Sequence, residues 1–411
     1  MSFSFSFSGD DIEDDGTVGT TPIAPVAPTA TEASATPAAS AFPVQGKPQL
    51  PPQRHDLKEM LAQLPSKVAY SLLDVALDKT NAEASQSSLA PRKGPYRLSL
   101  PRRELWDVKV QLMAEEGDDD DEKNSGVEGH ELAPGLGTHD VKTGIYEGGF
   151  KSWESSVDLV KVLLQPPPDA SSATPQPSPV AASVLQKDTP SHVIELGCGT
   201  ALPSLALFHW ASATASLRKN HLAITVADYN PSVLFLVTLP NFILAWALQQ
   251  LDTSPLLQQA IAIDEEGDDH GELDLTDEVK EAFCSFLESS NISLSFLSGG
   301  WSPEFIELLY ANPAGSSTDV NTLVLGAETI YSPFALESFS VTLMSILRRS
   351  EKSESGSSPV ATGIVGAKKL YFGVGGSLDD FVLRMRDSGA KVTEIHEEAD
   401  GVRRGVVQCV L

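Results

Sequence analysis

Cysteine, basic residues and long apolar runs are all scarce in this sequence of 411 residues. The three cysteines, Cys198, Cys284 and Cys409, have no paired spacing. This argues against a disulfide framework and a thiolate zinc site, and favours the cytoplasm or the nucleus. The histidines show no metal-binding spacing either, so we predict no metal site.

Positive charge is the second deficit. Lys and Arg together number 29 against 56 Asp and Glu, a formal net charge of -27. Such a surface disfavours direct binding of nucleic acid or of an anionic membrane, whereas it suits a basic protein partner. The alternative is that the charge serves solubility and lies in disordered acidic inserts.

No apolar run is long enough to predict a membrane span. The longest, Leu234–Leu248, is short for one and contains Pro240 and Asn241. It predicts a buried helix with a break. The N-terminus, MSFSFSFSGDDIEDDG, lacks the basic and apolar regions of a secretory signal.

Low-complexity composition divides the chain. Residues 1–55 are rich in Pro, Ala, Thr and Ser and predict a disordered N-terminal region. Residues 56–140 predict a partly ordered extension in which the acidic run 117–124 is disordered, and residues 141–411 predict a folded domain. Three further inserts are expected to be disordered within that domain, at 166–190, 264–277 and 350–358.

Short β-branched runs alternate with helical patterns, which predicts an α/β fold with a mostly parallel, Rossmann-like sheet and helices on both faces. The last two strands lie close enough for a hairpin, which makes one strand antiparallel. The predicted strands are 192–196, 222–227, 292–297, 322–325, 369–372, 391–395 and 402–410, and the predicted helices are 152–164, 202–217, 232–249, 334–349 and 378–388.

VIELGCGT, Val193–Thr200, is the strongest local motif. An apolar strand ends there in Gly197 and Gly199, and a helix follows. The glycines allow a ligand to approach the backbone, and the amides that open the helix point to the same place. The alternative is an ordinary strand-to-helix turn.

Asp228 ends the second strand, in the sequence VADYN. A carboxylate at this position can accept hydrogen bonds from the two hydroxyls of a ribose, although alone it could also be a helix cap. A nicotinamide dinucleotide would need a third Gly or Ala, where this chain has Leu202 followed by Pro203. A nucleoside without a pyrophosphate fits better.

Three other segments are expected at the same cleft. Thr143–Val160 could form a lid. It contains the adjacent glycines Gly148 and Gly149 and then Trp153, which either stacks on a ligand or anchors a helix. GAETIYSP follows the fourth strand and places Glu328 and Tyr331 at the cleft edge, and YFGVGG, 371–376, ends the fifth strand.

Together these segments resemble the protein-histidine methyltransferases of the seven-strand S-adenosylmethionine class, which modify a histidine of a large-subunit ribosomal protein. The resemblance rests on MSFSFSFSGDD, TGIYEGGFKSWE, VIELGCGT, DYNPSVLFLVTLPN, SGGW, ETIYSP and YFGVGG, in that order, and covers most of the predicted core. It implies that residues 141–411 are a methyltransferase domain.

The resemblance also implies a cofactor, S-adenosyl-L-methionine, and a site. The implied cofactor-binding residues are Trp153, Glu154, Gly197, Gly199, Asp228, Tyr229 and Trp301, and the implied catalytic residues are Glu328 and Asn230. The substrate is expected to be a basic ribosomal protein methylated at the tele nitrogen by a monomeric enzyme of the cytoplasm and nucleus. A lysine methyltransferase of the same fold and a non-catalytic module that binds ribosomal protein stay open as alternatives.

Overall fold

The computed structural model describes residues 46, 48–77, 96–122, 148–167, 174–185, 189–217, 220–263, 269–311, 320–350, 359–371, 375–399 and 401–411. In the helix Leu105–Glu122 the side chains are described only to residue 113, and in the helix Pro333–Ser350 only to residue 349.

The described part of the chain contains fourteen strands. They are β1 Gln53–His55, β2 Lys67–Leu77, β3 Tyr96–Arg103, β4 Leu164–Gln165, β5 Gln176–Pro177, β6 Ser191–Leu196, β7 Leu222–Asp228, β8 Ile261–Ile263, β9 His270–Asp274, β10 Ile292–Ser298, β11 Asn321–Ala327, β12 Ala361–Lys368, β13 Lys391–Glu398 and β14 Arg404–Val410.

Twelve α-helices lie within the same ranges. They are α1 Leu57–Ala62, α2 Leu105–Glu122, α3 Glu154–Leu163, α4 Pro179–Ala182, α5 Leu202–Ala213, α6 Pro231–Val233, α7 Leu239–Gln250, α8 Pro255–Ala260, α9 Asp277–Ser289, α10 Pro303–Tyr310, α11 Pro333–Ser350 and α12 Leu378–Asp387.

The main sheet has eight strands in the order β1-β10-β7-β6-β11-β12-β14-β13. The five strands from β10 to β12 are parallel, and β14 runs antiparallel to both of its neighbours. The predicted α/β fold and the closing hairpin are therefore confirmed. Strands β6 and β7 are buried at every residue, as expected for a parallel sheet covered by helices on both faces.

Register brings the carboxyl ends of these strands to one edge. Leu196 pairs with Ala227, and Asp228 pairs with Ser298. On the other side of β6, Leu325 pairs with Glu195 and β11 continues to Ala327. Strand β6 thus lies between β7 and β11, where the strand order reverses, and this is the place where ligands bind in open α/β sheets.

A second sheet, in the order β3-β2-β9-β8, packs on the same core. Strand β9 lies inside the acidic insert 264–277, and residues 174–185 of the insert 166–190 contain β5, α4 and the buried Val184. The prediction that these two inserts are disordered is therefore wrong for 269–274 and 174–185. It is also wrong for 117–122 of the acidic run, because α2 extends to Glu122. Composition could not show that β9 pairs with β2. Residues 168–173, 186–188, 264–268 and 351–358 lie outside the described residues.

Two boundaries also differ from the prediction. The fifth parallel strand is β12, Ala361–Lys368, so the strand predicted at 369–372 lies beyond its end. Strand β1 falls within the region 1–55 that was predicted to be disordered, and it pairs with β10 along the edge of the main sheet. Residues 1–45 lie outside the described part of the chain.

A π-helical turn, Leu234–Thr238, breaks the long buried helix. Pro240 has no N–H to donate to the carbonyl of Leu236, four residues earlier. That carbonyl instead accepts a hydrogen bond from Nη1 of the buried Arg103, at 2.8 Å. The helical span Pro231–Gln250 is long and apolar enough to cross a membrane, but 94% of its most apolar window is buried inside the protein, as in a core helix.

Candidate active site

A cavity of about 270 Å³ opens at the carboxyl ends of β6, β7, β10 and β11. It lies at the reversal of strand order and is open to solvent on one side. The residues that line it come from the loops after these strands, from the start of α3 and from the segment before β1. The lining residues include Gln49, Gly149, Trp153, Gly197, Gly199, Asp228, Tyr229, Gly300, Trp301, Glu328, Thr329, Tyr331, Lys368 and Tyr371.

The loop after β6 forms the floor of the cavity. Gly197 and Gly199 both have positive φ, +67° and +51°. A Cβ on Gly197 would lie 2.4 Å from Cγ2 of Thr329, and one on Gly199 would lie 3.0 Å from the carbonyl oxygen of Gly149. Both the backbone conformation and the space therefore require glycine, and the backbone of this loop stays accessible from the cavity.

Asp228 faces this loop from the end of β7. Its Oδ2 accepts the Gly199 N–H at 3.0 Å, and its Oδ1 accepts the Asn230 N–H at 3.2 Å. Each carboxylate oxygen can accept a further hydrogen bond. The two backbone bonds therefore fix the carboxylate in place while leaving it acceptor capacity at the cavity wall.

Behind the glycine loop, Glu195 is buried in the core with 1% of its surface exposed. Its Oε2 accepts the backbone N–H of Ser204 in the first turn of α5, at 2.9 Å. Burial raises the pKa of this carboxyl from 4.5 to about 7, against the lowering effect of the hydrogen bonds from Ser204. The contact joins β6 to α5 on the side of the loop away from the cavity.

Glu328 follows β11 with φ of +57°, a conformation that non-glycine residues seldom adopt. Its carboxylate accepts hydrogen bonds from the hydroxyls of Ser155 and Tyr371, both at 2.5 Å. Burial raises the pKa of Glu328, while these two bonds and the charge of Lys368 act in the opposite direction. Strained backbone at a ligand-facing residue is a common feature of functional sites.

Aromatic rings surround this carboxylate. The Nζ of Lys368 lies 5.1 Å from the ring centroid of Trp153 and 5.7 Å from that of Tyr371, within cation–π range. Burial raises the pKa of the Tyr331 hydroxyl to about 12. This end of the cavity therefore combines one carboxylate, one cation and several phenol or indole groups.

Two polar atoms of lining residues are buried without a hydrogen-bond partner in the described part of the chain. They are Nε1 of Trp301 and Oγ1 of Thr329. A buried polar atom without a partner carries a free-energy cost. A ligand with polar groups could satisfy the indole N–H, since Trp301 lies on the cavity wall.

Seven of the nine residues predicted for the site line this cavity: Trp153, Gly197, Gly199, Asp228, Tyr229, Trp301 and Glu328. Trp153 is 39% exposed and lies at the N-terminus of α3 rather than in the core. The two others, Glu154 and Asn230, are not among the lining residues. Glu154 is exposed, and Asn230 is buried with its backbone N–H on Asp228, so their predicted roles stay predictions.

Gln49 and Lys368 line the cavity although they lie outside every segment predicted for the cleft, and Tyr371 lies in the predicted segment 371–376 but had no predicted role. Lys368 ends the fifth parallel strand and Tyr371 follows it, so the correct end of β12 would have placed both at the ligand-binding edge. Gln49 precedes the three-residue strand β1, which gives little local signal. Of the proposed lid at 143–160, residues 143–147 lie outside the described residues.

A separate cluster of Asp158, His396 and Glu398 has ligand atoms within 4.8 Å of one another. Cations of the protein already occupy it. Nε of Arg404 lies 2.7 Å from Asp158, and Nζ of Lys161 lies 3.9 Å from Asp158 and 3.8 Å from Glu398. These side chains disfavour a bound metal ion by charge repulsion.

The chain is similar to known proteins over its full length. It is 33% identical to Histidine protein methyltransferase 1 of Saccharomyces cerevisiae, covering 100% of this chain and 98% of that protein. It is 32% identical to Histidine protein methyltransferase 1 of Schizosaccharomyces pombe, covering 74% of this chain and 75% of that protein. No protein-family profile matches it.

Among solved structures, the delta-N METTL16 methyltransferase domain is similar with a TM-score of 0.26 and 12% identity, covering 55% of this chain and 75% of that one. A TM-score this low supports no inference about the site, and the relatives in sequence decide the family.

Proposed function

The chain belongs to the histidine protein methyltransferase family, and from that premise we propose that it transfers the methyl group of S-adenosyl-L-methionine to a histidine of a ribosomal protein. The acceptor is the tele nitrogen of the imidazole. The observation that carries this proposal is that the carboxylates of Asp228 and Glu328 line the same cavity, so a cofactor and an acceptor side chain can meet there.

The lining residues fit S-adenosylmethionine. Asp228 offers acceptors for the two ribose hydroxyls, and the glycine loop gives backbone access for the ligand. The indole N–H of Trp301 lacks a partner, so it can donate to a polar group of the ligand. When bound, S-adenosylmethionine supplies a methyl group on a sulfonium that leaves as a neutral thioether.

Glu328 orients the acceptor ring in this proposal. One lone pair of each carboxylate oxygen is used by Ser155 or Tyr371, and the remaining capacity can accept the Nδ1–H of an imidazole. That bond fixes the tautomer whose Nε2 lone pair is free to attack. After transfer the ring is an imidazolium, and the Glu328 carboxylate stabilises it until the Nδ1 proton is lost to solvent.

The charges at this end of the cavity favour histidine over lysine. Lys368 lies close enough to act on the charge of Glu328, so it offsets much of the attraction of this carboxylate for a protonated lysine ammonium. A neutral imidazole does not depend on that attraction, and with a pKa near 6.5 most of it is neutral at cellular pH. An uncharged acceptor also needs no deprotonation before it attacks.

The ribosomal substrate is supported by charge. A net charge of -27 attracts a basic protein, and large-subunit ribosomal proteins have this chemistry. We propose that the chain acts as a monomer in the cytoplasm and the nucleus, where ribosomal proteins are made and assembled.

The experiment that tests this function is mass spectrometry, with amino-acid analysis, of ribosomal proteins from cells with and without the chain. We expect one methylhistidine of a large-subunit protein to disappear and to return with the intact chain but not with Asp228→Ala. Loss of a methyllysine instead would identify a lysine enzyme. No change in methylation would reject the ribosomal substrate, and no affinity of the purified chain for S-adenosylmethionine would favour a binding module.

The role of Glu328 is tested by Glu328→Gln, with Glu281→Gln, at an exposed carboxylate of α9, as the matched control. Glutamine keeps the shape but loses the charge that stabilises the imidazolium. We expect kcat to fall about 100-fold, the size typical of lost acid–base or electrostatic assistance. The KM for S-adenosylmethionine and the activity of the control are expected to stay unchanged. Equal activity of both variants would remove Glu328 from the mechanism.

A further inference from the structure

The segment from Gln49 to His55 crosses the end of β10 and brings Gln49 to the wall of the cavity. Strand β1 pairs antiparallel with β10, with Gln53 opposite Ser298. Just before it, the Leu50 N–H donates to the Tyr229 hydroxyl at 3.0 Å, and the Leu50 carbonyl accepts the Gly300 N–H at 2.8 Å. The segment is thus tied to the loops after both β7 and β10.

The loop beneath this segment is shaped to receive it. A Cβ on Gly299 would lie 2.3 Å from the carbonyl oxygen of Pro51, and one on Gly300 would lie 2.9 Å from Oε1 of Gln49. Gly299 also has φ of +95°. Glycine at these two positions therefore allows the segment to lie directly on the loop, with the Gln49 side chain against Gly300.

The Gln49 side chain lines the cavity, and its amide makes no hydrogen bond with any described residue. Around it, Tyr229 is tied to Leu50, and Trp301 carries an indole N–H without a partner. This corner therefore presents an amide that can both donate and accept, beside aromatic rings. Such a combination suits a planar heterocycle with alternating donors and acceptors.

The direction in which S-adenosylmethionine lies follows from the proposed function, on which this inference rests. The ribose is held at Asp228, at the end of β7. The methyl group must face Glu328, which follows β11, and the sulfonium is attached to one end of the ribose. The base, attached to the other end, therefore lies on the far side of Asp228, next to β10 and the Gln49 segment.

We propose that Gln49 recognises the adenine of the cofactor. Its amide oxygen accepts from the exocyclic amino group while its amide N–H donates to an adjacent ring nitrogen, a bidentate arrangement that pairs glutamine with adenine in other complexes. The N-terminal segment is then part of the cofactor site, and Gln49 determines specificity for the base.

The test measures binding of two ligands by calorimetry to the full-length chain, its Gln49→Ala variant and a Gln53→Ala control. Gln53 is an exposed amide in the same segment. The ligands are S-adenosylhomocysteine and its analogue in which purine, without the 6-amino group, replaces adenine. We expect Gln49→Ala to weaken S-adenosylhomocysteine binding about tenfold, the usual effect of losing such hydrogen bonds.

The ratio of the affinity for S-adenosylhomocysteine to that for the purine analogue should be several-fold larger in the wild type than in Gln49→Ala. The variant lacks the side chain that contacts the 6-amino group, so it gains little from that group. The variant should raise the KM for S-adenosylmethionine and leave kcat and the melting temperature without ligand unchanged. Equal loss of affinity for both ligands, or no loss, would overturn the assignment of Gln49 to the base. Failure of the wild type to bind either ligand would instead reject the proposed function.

Discussion

Protonation of Glu195 is expected to make the stability of this protein depend on pH. The carboxyl lies in the centre of the sheet with a pKa raised from 4.5 to about 7 by burial. Below pH 4.5 it is protonated in both the folded and the unfolded chain. Between pH 4.5 and about 7 the unfolded chain loses this proton while the folded chain keeps it, so the free energy of unfolding falls as the pH rises. The stability that the raised pKa contributes at low pH is therefore lost above the folded pKa.

The magnitude follows from the size of the shift. Each unit of pKa corresponds to about 1.4 kcal/mol, so a shift of this size amounts to about 3 kcal/mol between pH 4.5 and pH 8. Glu195→Gln removes the titration and can still accept the Ser204 N–H with its amide oxygen. Relative to the wild type, the variant should therefore gain about 3 kcal/mol of unfolding free energy over this range.

Urea unfolding at half-unit steps from pH 5 to pH 8 measures this difference. Gln259→Ala, at an exposed residue of α8, is the control, because it neither adds nor removes a titrating group. The other titrating groups are common to the wild type and Glu195→Gln and cancel. A difference that stays constant within about 0.5 kcal/mol would refute the argument, because a solvated carboxyl would then occupy this position.

Three further predictions concern the cavity and the helix beside it. Asp228→Asn should weaken S-adenosylmethionine binding about 100-fold in calorimetry, because an amide group cannot accept the Gly199 N–H and both ribose hydroxyls; an unchanged affinity would place the ribose elsewhere. Tyr371→Phe removes a hydrogen-bond donor to Glu328, so the pKa of that carboxyl should rise further and the acidic limb of the kcat/KM profile should move to higher pH. An unchanged acidic limb would show that the Tyr371 hydroxyl does not affect the ionisation of Glu328 during catalysis. Arg103→Leu leaves a buried carbonyl and a carboxylate without their partner and should cost about 3–5 kcal/mol in unfolding free energy; an unchanged melting temperature would contradict this.

The glycine loop and the acid after β7 could be predicted because local sequence determines them. Gly197 and Gly199 stand where side chains cannot fit, and β6 and β7 are continuous apolar runs typical of buried parallel strands. The closing hairpin was also predictable, since its two strands are adjacent in sequence. These features need little knowledge of distant contacts.

The fifth strand was misplaced for a tertiary reason. Strand β12 contains Gly363 and Gly366, which lower its β propensity and make it similar to a loop. A Cβ on Gly366 would lie 2.3 Å from Cδ1 of Leu159 in α3, so this glycine serves the packing of a helix distant in sequence. Strand β1 was missed because three residues among prolines form a strand only through pairing with β10.

The segment before β1 also affects how the protein is made. Leu50 is synthesised early, but its hydrogen-bond partners Tyr229 and Gly300 follow about 180 and 250 residues later, and Tyr371 comes later still. The lining residues from Gln49 to Tyr371 span 323 residues of sequence. Contacts so far apart in sequence form slowly. The cavity is therefore complete only after Tyr371 has been synthesised and folded into place, and a ligand that binds in it would stabilise only chains in which all of its walls have formed.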